Sequence, residues 1–257
     1  MRVKSEPERP KPGAHPRPLA VVIGRGRGPN PCANCDARGV SVCNAIEDKD
    51  LGRLAELAHV AQIAPGRTFI HEGDAARDFF NITAGNARIY KLLADGRRQI
   101  IGFAGPGHFL GLAVSATYAF SAEAMDEVRL CRFARPRLRQ LLHDFPAMEQ
   151  RLLEVAANEL VVAQEQMLLL GRKTARERVA SFLWARTGAA LPCGERQVRL
   201  VLPMTRGDIA DYLGLTIETV SRTLTALRND HLIELRGHSE ILVRDPPRLA
   251  ALAGAAA

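Results

Sequence analysis

From Met148 to Arg186 the chain runs without a proline and with a single glycine, Gly171. No other stretch constrains the fold so strongly, because a long run free of backbone breakers favours a helix over any alternative. Inside it, Leu153, Ala156, Leu160, Ala163, Met167 and Leu170 recur at 3-4-3-4-3 spacing, the a/d seam of a coiled coil. The seam contains no charge, so nothing in it repels a twin helix, and it implies a homodimer; a two-sided buried helix in a monomer is the competing reading. A second row, Val155, Val162 and Leu169, lies on a neighbouring face and is expected to pack on the barrel of the same subunit.

The chain ahead of this helix has the opposite texture. Short apolar runs are broken by Gly66, Gly73, Gly85, Gly96, Gly102, Gly105, Gly107 and Gly111. The run "ARIYKLLADGRRQIIGF" holds two β-rich segments around Asp95-Gly96, a hairpin signal. Strands punctuated this way predict a small antiparallel barrel or jelly roll ending near Phe133, preceded by a short helix over Leu51–Val60. Residues 1–29 are rich in Pro, Gly and Arg, and are expected to form a disordered basic tail.

Charge points to a partner. The net charge is +7, and residues 171–257 carry 13 Lys/Arg against nine Asp/Glu, so the folded C-terminal part is basic and suits DNA or RNA before a membrane. No apolar run is long enough to span a bilayer, and "LAVVIG" is short for a signal-peptide core. The expectation is a soluble, cytoplasmic protein without a membrane partner. The seven histidines show no ligand spacing and no nucleophile–base arrangement stands out, so an enzyme is not expected.

The segment "RGDIADYLGLTIETVSRTLTAL" (Arg206–Leu227) carries the sharpest motif. Ala210 lets two helices approach, Gly214 supplies the turn, and Val220 with Ile209 and Leu213 fills the junction; Thr205 and Thr216 can cap the two helices. This is a helix-turn-helix. Its second helix presents Glu218, Thr219, Ser221 and Arg222 near its start, where a reading helix meets base edges. Arg222 can pair with guanine and Glu218 can accept from cytosine. Thr205 and Arg206, opening the first helix, join the candidate DNA-contacting set. "LIELRGHSEILVRD" reads as a hairpin around Gly237, a wing with Arg236 and His238 near phosphates.

Of five cysteines, Cys32, Cys35 and Cys43 stand as C-x2-C-x7-C, Cys131 lies on the last expected barrel strand, and Cys193 lies in a loop. An odd number argues against a secreted disulfide framework. Tetrahedral zinc and an iron–sulfur cluster both take four ligands, and spacing alone does not separate them.

Jelly roll, seam helix and winged helix-turn-helix together resemble the CRP/FNR family of bacterial transcription regulators, over about residues 30–250. "TRGDIADYLGLTIETVSRTL" carries the resemblance, and Glu218, Ser221 and Arg222 match the E-x-x-S-R signature of its Fnr-type, oxygen-responsive branch. The resemblance implies an α+β chain: a cluster loop and jelly-roll sensor domain over 30–145, a dimerisation helix over 146–172 and a winged helix-turn-helix over 173–257. It implies a dimer on a two-fold TTGAT-type DNA site, a surface hairpin such as Leu93–Arg98 meeting RNA polymerase, and an oxygen-labile 4Fe–4S cluster on Cys32, Cys35, Cys43 and Cys131. The seven-residue gap before Cys43 departs from the five of the best-known version, and Cys193 matches no position. The cyclic-nucleotide branch needs an acidic residue and an Arg-Ser pair; "GHFLGLAVSATYAFSAEAM" has no arginine and places Gly111-Leu112 where the acid belongs, so cAMP is not expected. A winged-helix regulator with structural zinc and an iron–sulfur redox protein are the alternatives.

Overall fold

A computed structural model describes residues 30–112, 115–188, 197–237 and 239–254. The expected basic tail over 1–29, Cys193 and His238 lie outside the described residues.

Short 3-10 turns carry the chain from Arg38 to Asp50, and lead into α1 (Leu51–Leu57). Eight strands follow: β1 (His59–Ile63), β2 (Thr68–Ile70), β3 (Asp78–Ala84), β4 (Ala87–Leu92), β5 (Arg98–Ala104), β6 (Phe109–Leu110), β7 (Ser121–Ala124) and β8 (Val128–Ala134). They form two antiparallel four-stranded sheets, in the orders β1-β8-β3-β6 and β2-β7-β4-β5, the jelly roll expected. Phe69, Phe80 and Tyr118 fill the space between the sheets, with Ile63, Ile82 and Leu130 around them. The expected helix over Leu51–Val60 stops at Leu57. Val60 instead pairs with Cys131 in β8, because alternation through "HVAQI" buries Ala61 and Ile63 on one face of a strand.

A helix not expected from the sequence, α2 (Arg135–Asp144), follows the barrel; then comes the expected long helix α3 (Pro146–Arg172), with Pro146 in the first turn where a missing N–H costs nothing. At about 1.5 Å per residue, the 27 residues of α3 extend about 40 Å, well beyond the barrel. That length splits the second row. Val155 packs beside the barrel, Val162 is exposed, and Leu169 is buried in the C-terminal core.

The C-terminal part comprises α4 (Ala175–Thr187), β9 (Val198–Val201), α5 (Arg206–Leu213), α6 (Ile217–Asn229), β10 (Ile233–Arg236), β11 (Glu240–Val243) and α7 (Pro246–Ala253). β9 extends the wing hairpin into a three-stranded sheet, β10-β11-β9. Val179, Phe182, Leu183, Ile209, Leu213, Val220 and Leu224 make its core. Among the described residues no helix is long and apolar enough to cross a membrane.

Candidate nucleic-acid interface and thiol site

The reading pair is fixed at each helix end. Thr205 Oγ1 accepts from the Asp208 N–H while Asp208 Oδ2 accepts from the Thr205 N–H at 3.0 Å, a reciprocal cap on α5. α5 ends at Gly214, whose φ of 61° lies in the left-handed region. A Cβ there would meet Leu170 Cδ2 at 3.4 Å and Arg178 Nη1 at 3.5 Å, ordinary contacts, so it is the backbone conformation that calls for glycine. Thr216 caps α6 by accepting from the Thr219 N–H at 3.2 Å.

α6 then sorts its faces as its period demands. Val220, Leu224 and Leu227 are buried, while Glu218, Ser221 and Arg222 are exposed. Glu218 is held below the ordinary carboxylate range by its own backbone N–H, then by Thr216, so it is charged at the start of the helix. Two further candidates are less free. Thr219 Oγ1 lies 3.0 Å from Thr216 Oγ1 within the cap, and Thr205 is engaged with Asp208. Arg206 is half-buried, and burial lowers its pKa. On the wing, Arg236 Nε donates to Glu234 at 2.9 Å, which occupies a guanidinium expected near phosphates.

The seam residues project from the protomer. Leu153 is 71% exposed, Leu160 58% and Met167 67%, with Ala156 and Ala163 also exposed. Leu170 departs from the expectation: it is half-buried against the C-terminal core beside Gly214. Val161 and Leu168, both exposed, widen the stripe, a contribution that strict a/d spacing omits.

The cysteine loop lies against both barrel and helix. A Cβ on Gly107 would come within 2.7 Å of Val40 O, so only glycine lets the loop sit so close. Arg38 staples the loop by donating to Ile46 O at 2.8 Å and pairing with Asp48 at 2.5 Å. Ser41 Oγ accepts from the Cys43 N–H at 3.2 Å, and Asn81 Nδ2 donates to Cys43 Sγ at 3.8 Å. Asn81 is also the register partner of Cys131, which brings the β8 thiol toward the loop.

Cys32 and Cys43 are buried, and Cys35 and Cys131 half-buried; all four are free. Burial, then the charges of Cys43 and Cys35, push the Cys32 thiol up to about 11. Burial, then Cys32, Cys43 and Cys35, push Cys131 up to about 12. Among the described residues, however, no group of three or more His, Cys, Asp or Glu has the geometry to hold a metal ion. The donors fit a four-thiolate site in kind and number, and binding one would release the thiol protons.

The cassette region uses a different arginine from the one sought in sequence. Arg135, at the start of α2, donates through Nη2 to Gly111 O at 2.5 Å and through Nη1 to Ser115 O at 3.2 Å. It lies over the rings of Phe79 and Tyr118 while both Nη atoms are engaged by backbone carbonyls.

Residues 60–145 match a cyclic nucleotide-binding domain, and residues 177–252 a Crp-like helix-turn-helix domain. The chain is 42% identical over 224 residues to the nitrogen fixation regulation protein FixK of Bradyrhizobium diazoefficiens, covering 87% of this chain and 94% of that one. It is 43% identical over 224 residues to the transcriptional activatory protein AadR of Rhodopseudomonas palustris, covering 86% and 92%. Among solved structures, FixK2 from Bradyrhizobium japonicum superposes with a TM-score of 0.71 at 37% identity, covering 78% of this chain and 99% of that one. Fold, reading helices and relatives agree: the chain belongs to the CRP/FNR family of transcription regulators, helix-turn-helix DNA-binding proteins and not enzymes.

Proposed function

We propose that this regulator is an oxygen- or redox-responsive activator that binds a two-fold TTGAT-type site as a homodimer while a 4Fe–4S cluster is held by Cys32, Cys35, Cys43 and Cys131. One observation carries the reading. The loop that carries Cys32, Cys35 and Cys43 shares a buried core with Cys131 and packs Val42 and Ile46 in that core with Met148 and Leu152, near the start of the seam helix. When bound, such a cluster supplies metal–thiolate bonds and a centre that oxygen attacks.

The chain's own residues do the rest. With the loop closed, Val42 and Ile46 brace α3, and Leu153, Ala156, Leu160, Ala163 and Met167 meet their counterparts in a twin helix. The two α6 helices then present Glu218, Ser221 and Arg222 one DNA turn apart. With the loop loosened the brace weakens, and a shift of about 2–3 kcal/mol in dimer free energy is enough to empty a promoter. A cyclic nucleotide is not part of this reading. The aromatic filling of the barrel and the engagement of Arg135 with carbonyls support its exclusion. The exposed Leu92 and Leu93 on the β4–β5 hairpin suit a protein contact such as RNA polymerase, whereas Arg98 is committed to α5.

The test is anaerobic purification with an absorption spectrum, iron and zinc determination, and binding to a palindromic probe, on wild type and Cys131→Ala. The expected result is a cluster spectrum that bleaches in air, with DNA binding falling in step, and neither in Cys131→Ala. A colourless protein with stoichiometric zinc establishes the structural-zinc regulator instead.

A further inference from the structure

α5 is gripped at both ends by side chains from outside the helix-turn-helix. At its start, Asp208 has a side chain only 2% exposed. Beyond capping α5, its Oδ1 accepts from Arg88 Nη1 of β4 at 2.8 Å and from Arg98 Nη2 of β5 at 3.2 Å. Arg98 also donates to Asp211 Oδ2 through Nε at 2.9 Å and Nη2 at 2.8 Å, and Glu123 of β7 balances Arg88.

At the other end, successive carbonyls of the last turn, which lack partners within the helix, are taken by three separate elements. Asp211 O accepts from Gln99 of β5 at 2.7 Å, Tyr212 O from Gln166 of α3 at 2.9 Å, and Leu213 O from Arg178 of α4 at 2.9 Å. Phe103 of β5 adds an apolar contact, its ring centroid 5.4 Å from that of Tyr212.

Covalent continuity does not fix this arrangement. Only Lys173 and Thr174 join α3 to α4, and Lys173 leaves the helical region at φ −82° and ψ 143°. With so short a joint, the angle of the head rests on noncovalent contacts: Leu169 of α3 in its core, Arg178 on Leu170 O, and the ion pairs to the barrel. Partly enclosed ion pairs of this kind are weak evidence for stability, so their value here lies in the geometry they impose. They lie on the back of the head, leaving Glu218, Ser221 and Arg222 exposed.

We infer that Arg88 and Arg98 are positioning residues for DNA reading. By holding Asp208 and Asp211 they set the angle of the head against the sensor barrel, and so the separation of the two reading helices. The inference rests on the dimeric DNA-binding reading above.

The experiment measures fluorescence anisotropy of the full chain, anaerobically purified, on three probes: paired TTGAT-type half-sites at natural spacing, the same pair with extra base pairs between them, and a single half-site. Wild type prefers the natural spacing. Arg98→Gln cuts that preference about five- to tenfold and leaves single-half-site affinity unchanged. Asp211→Asn cuts it less, because Arg98 keeps its contact with Asp208, and the double variant is no worse than Arg98→Gln alone, since Asp211 then has no arginine partner left to lose. A lower overall affinity with an unchanged spacing ratio makes the contact merely structural and overturns the inference. Raised affinity makes it a restraint on DNA binding and overturns it equally. Wild-type protein that binds neither paired probe overturns the dimeric reading, and the positioning role with it.

Discussion

Arg222 and Glu218 sit one helical turn apart on the exposed face of α6, and their chemistries differ enough to be told apart. A guanidinium that pairs with guanine discriminates, whereas one resting on a phosphate does not. Arg222→Ala should cost about 1–3 kcal/mol on the cognate site and flatten the preference at a single base pair, measured by competition among singly substituted probes. An equal loss on every probe would reassign Arg222 to the backbone. These residues were legible in sequence because the helix-turn-helix packs by a fixed local rule, in which Ala210, Gly214 and Val220 dictate what faces outward. Asp208 and Arg135 were not. Asp208 reads locally as a third-position cap, and that role is real, but its second oxygen is claimed by β4 and β5, far away in sequence. Arg135 lies past the end of the cassette, so a search for an arginine within the cassette could not find it.

At the scale of elements, the breaker-free run and the glycine-punctuated run identified seam helix and barrel. What they could not give was the length over which each face of α3 stays covered. Periodicity repeats along the whole helix, while the barrel covers only its start, so Val155 and Val162 have the same pattern and different surroundings. The exposed stripe from Leu153 to Leu168 costs the isolated protomer the burial that a partner would supply. Leu160→Glu therefore leaves the protomer fold intact, since this side chain is already 58% exposed. In a dimer it removes one buried leucine per copy and sets two carboxylates near each other. The dimer should weaken by about 3 kcal/mol, roughly a hundredfold in its association constant. Sedimentation velocity across a concentration series reads this directly, and an unchanged sedimentation coefficient would mean that the seam is not the interface.

Among the described residues, two contacts join distant parts of the molecule, one from the thiol loop to α3 and one from the barrel strands β4 and β5 to α5. Sequence located the thiols and the reading helix but neither linkage, because both are made of ordinary core and surface residues whose meaning lies only in what they touch. The first can be tested separately from the proposed cluster. Ile46 is 1% exposed, carries no ligand atom, and packs in the core that holds Met148 and Leu152. Ile46→Ala deletes buried methyl groups from that brace while leaving Cys32, Cys35, Cys43 and Cys131 in place, at a cost of about 2–5 kcal/mol of local packing. If closure of the loop reaches the dimer through this contact, the variant still takes up a cluster under anaerobic conditions, yet its loaded form dimerises nearly as weakly as its apo form. Wild type, in contrast, separates the two states. Anaerobic sedimentation of loaded and apo protein, with the absorption spectrum recorded on the same sample, measures both quantities at once. A variant that keeps the full wild-type difference shows that the signal travels by another route. One that loses the spectrum as well shows that Ile46 serves the ligand loop before it serves the helix, and the brace would then have to be tested from the other side, with Leu152→Ala.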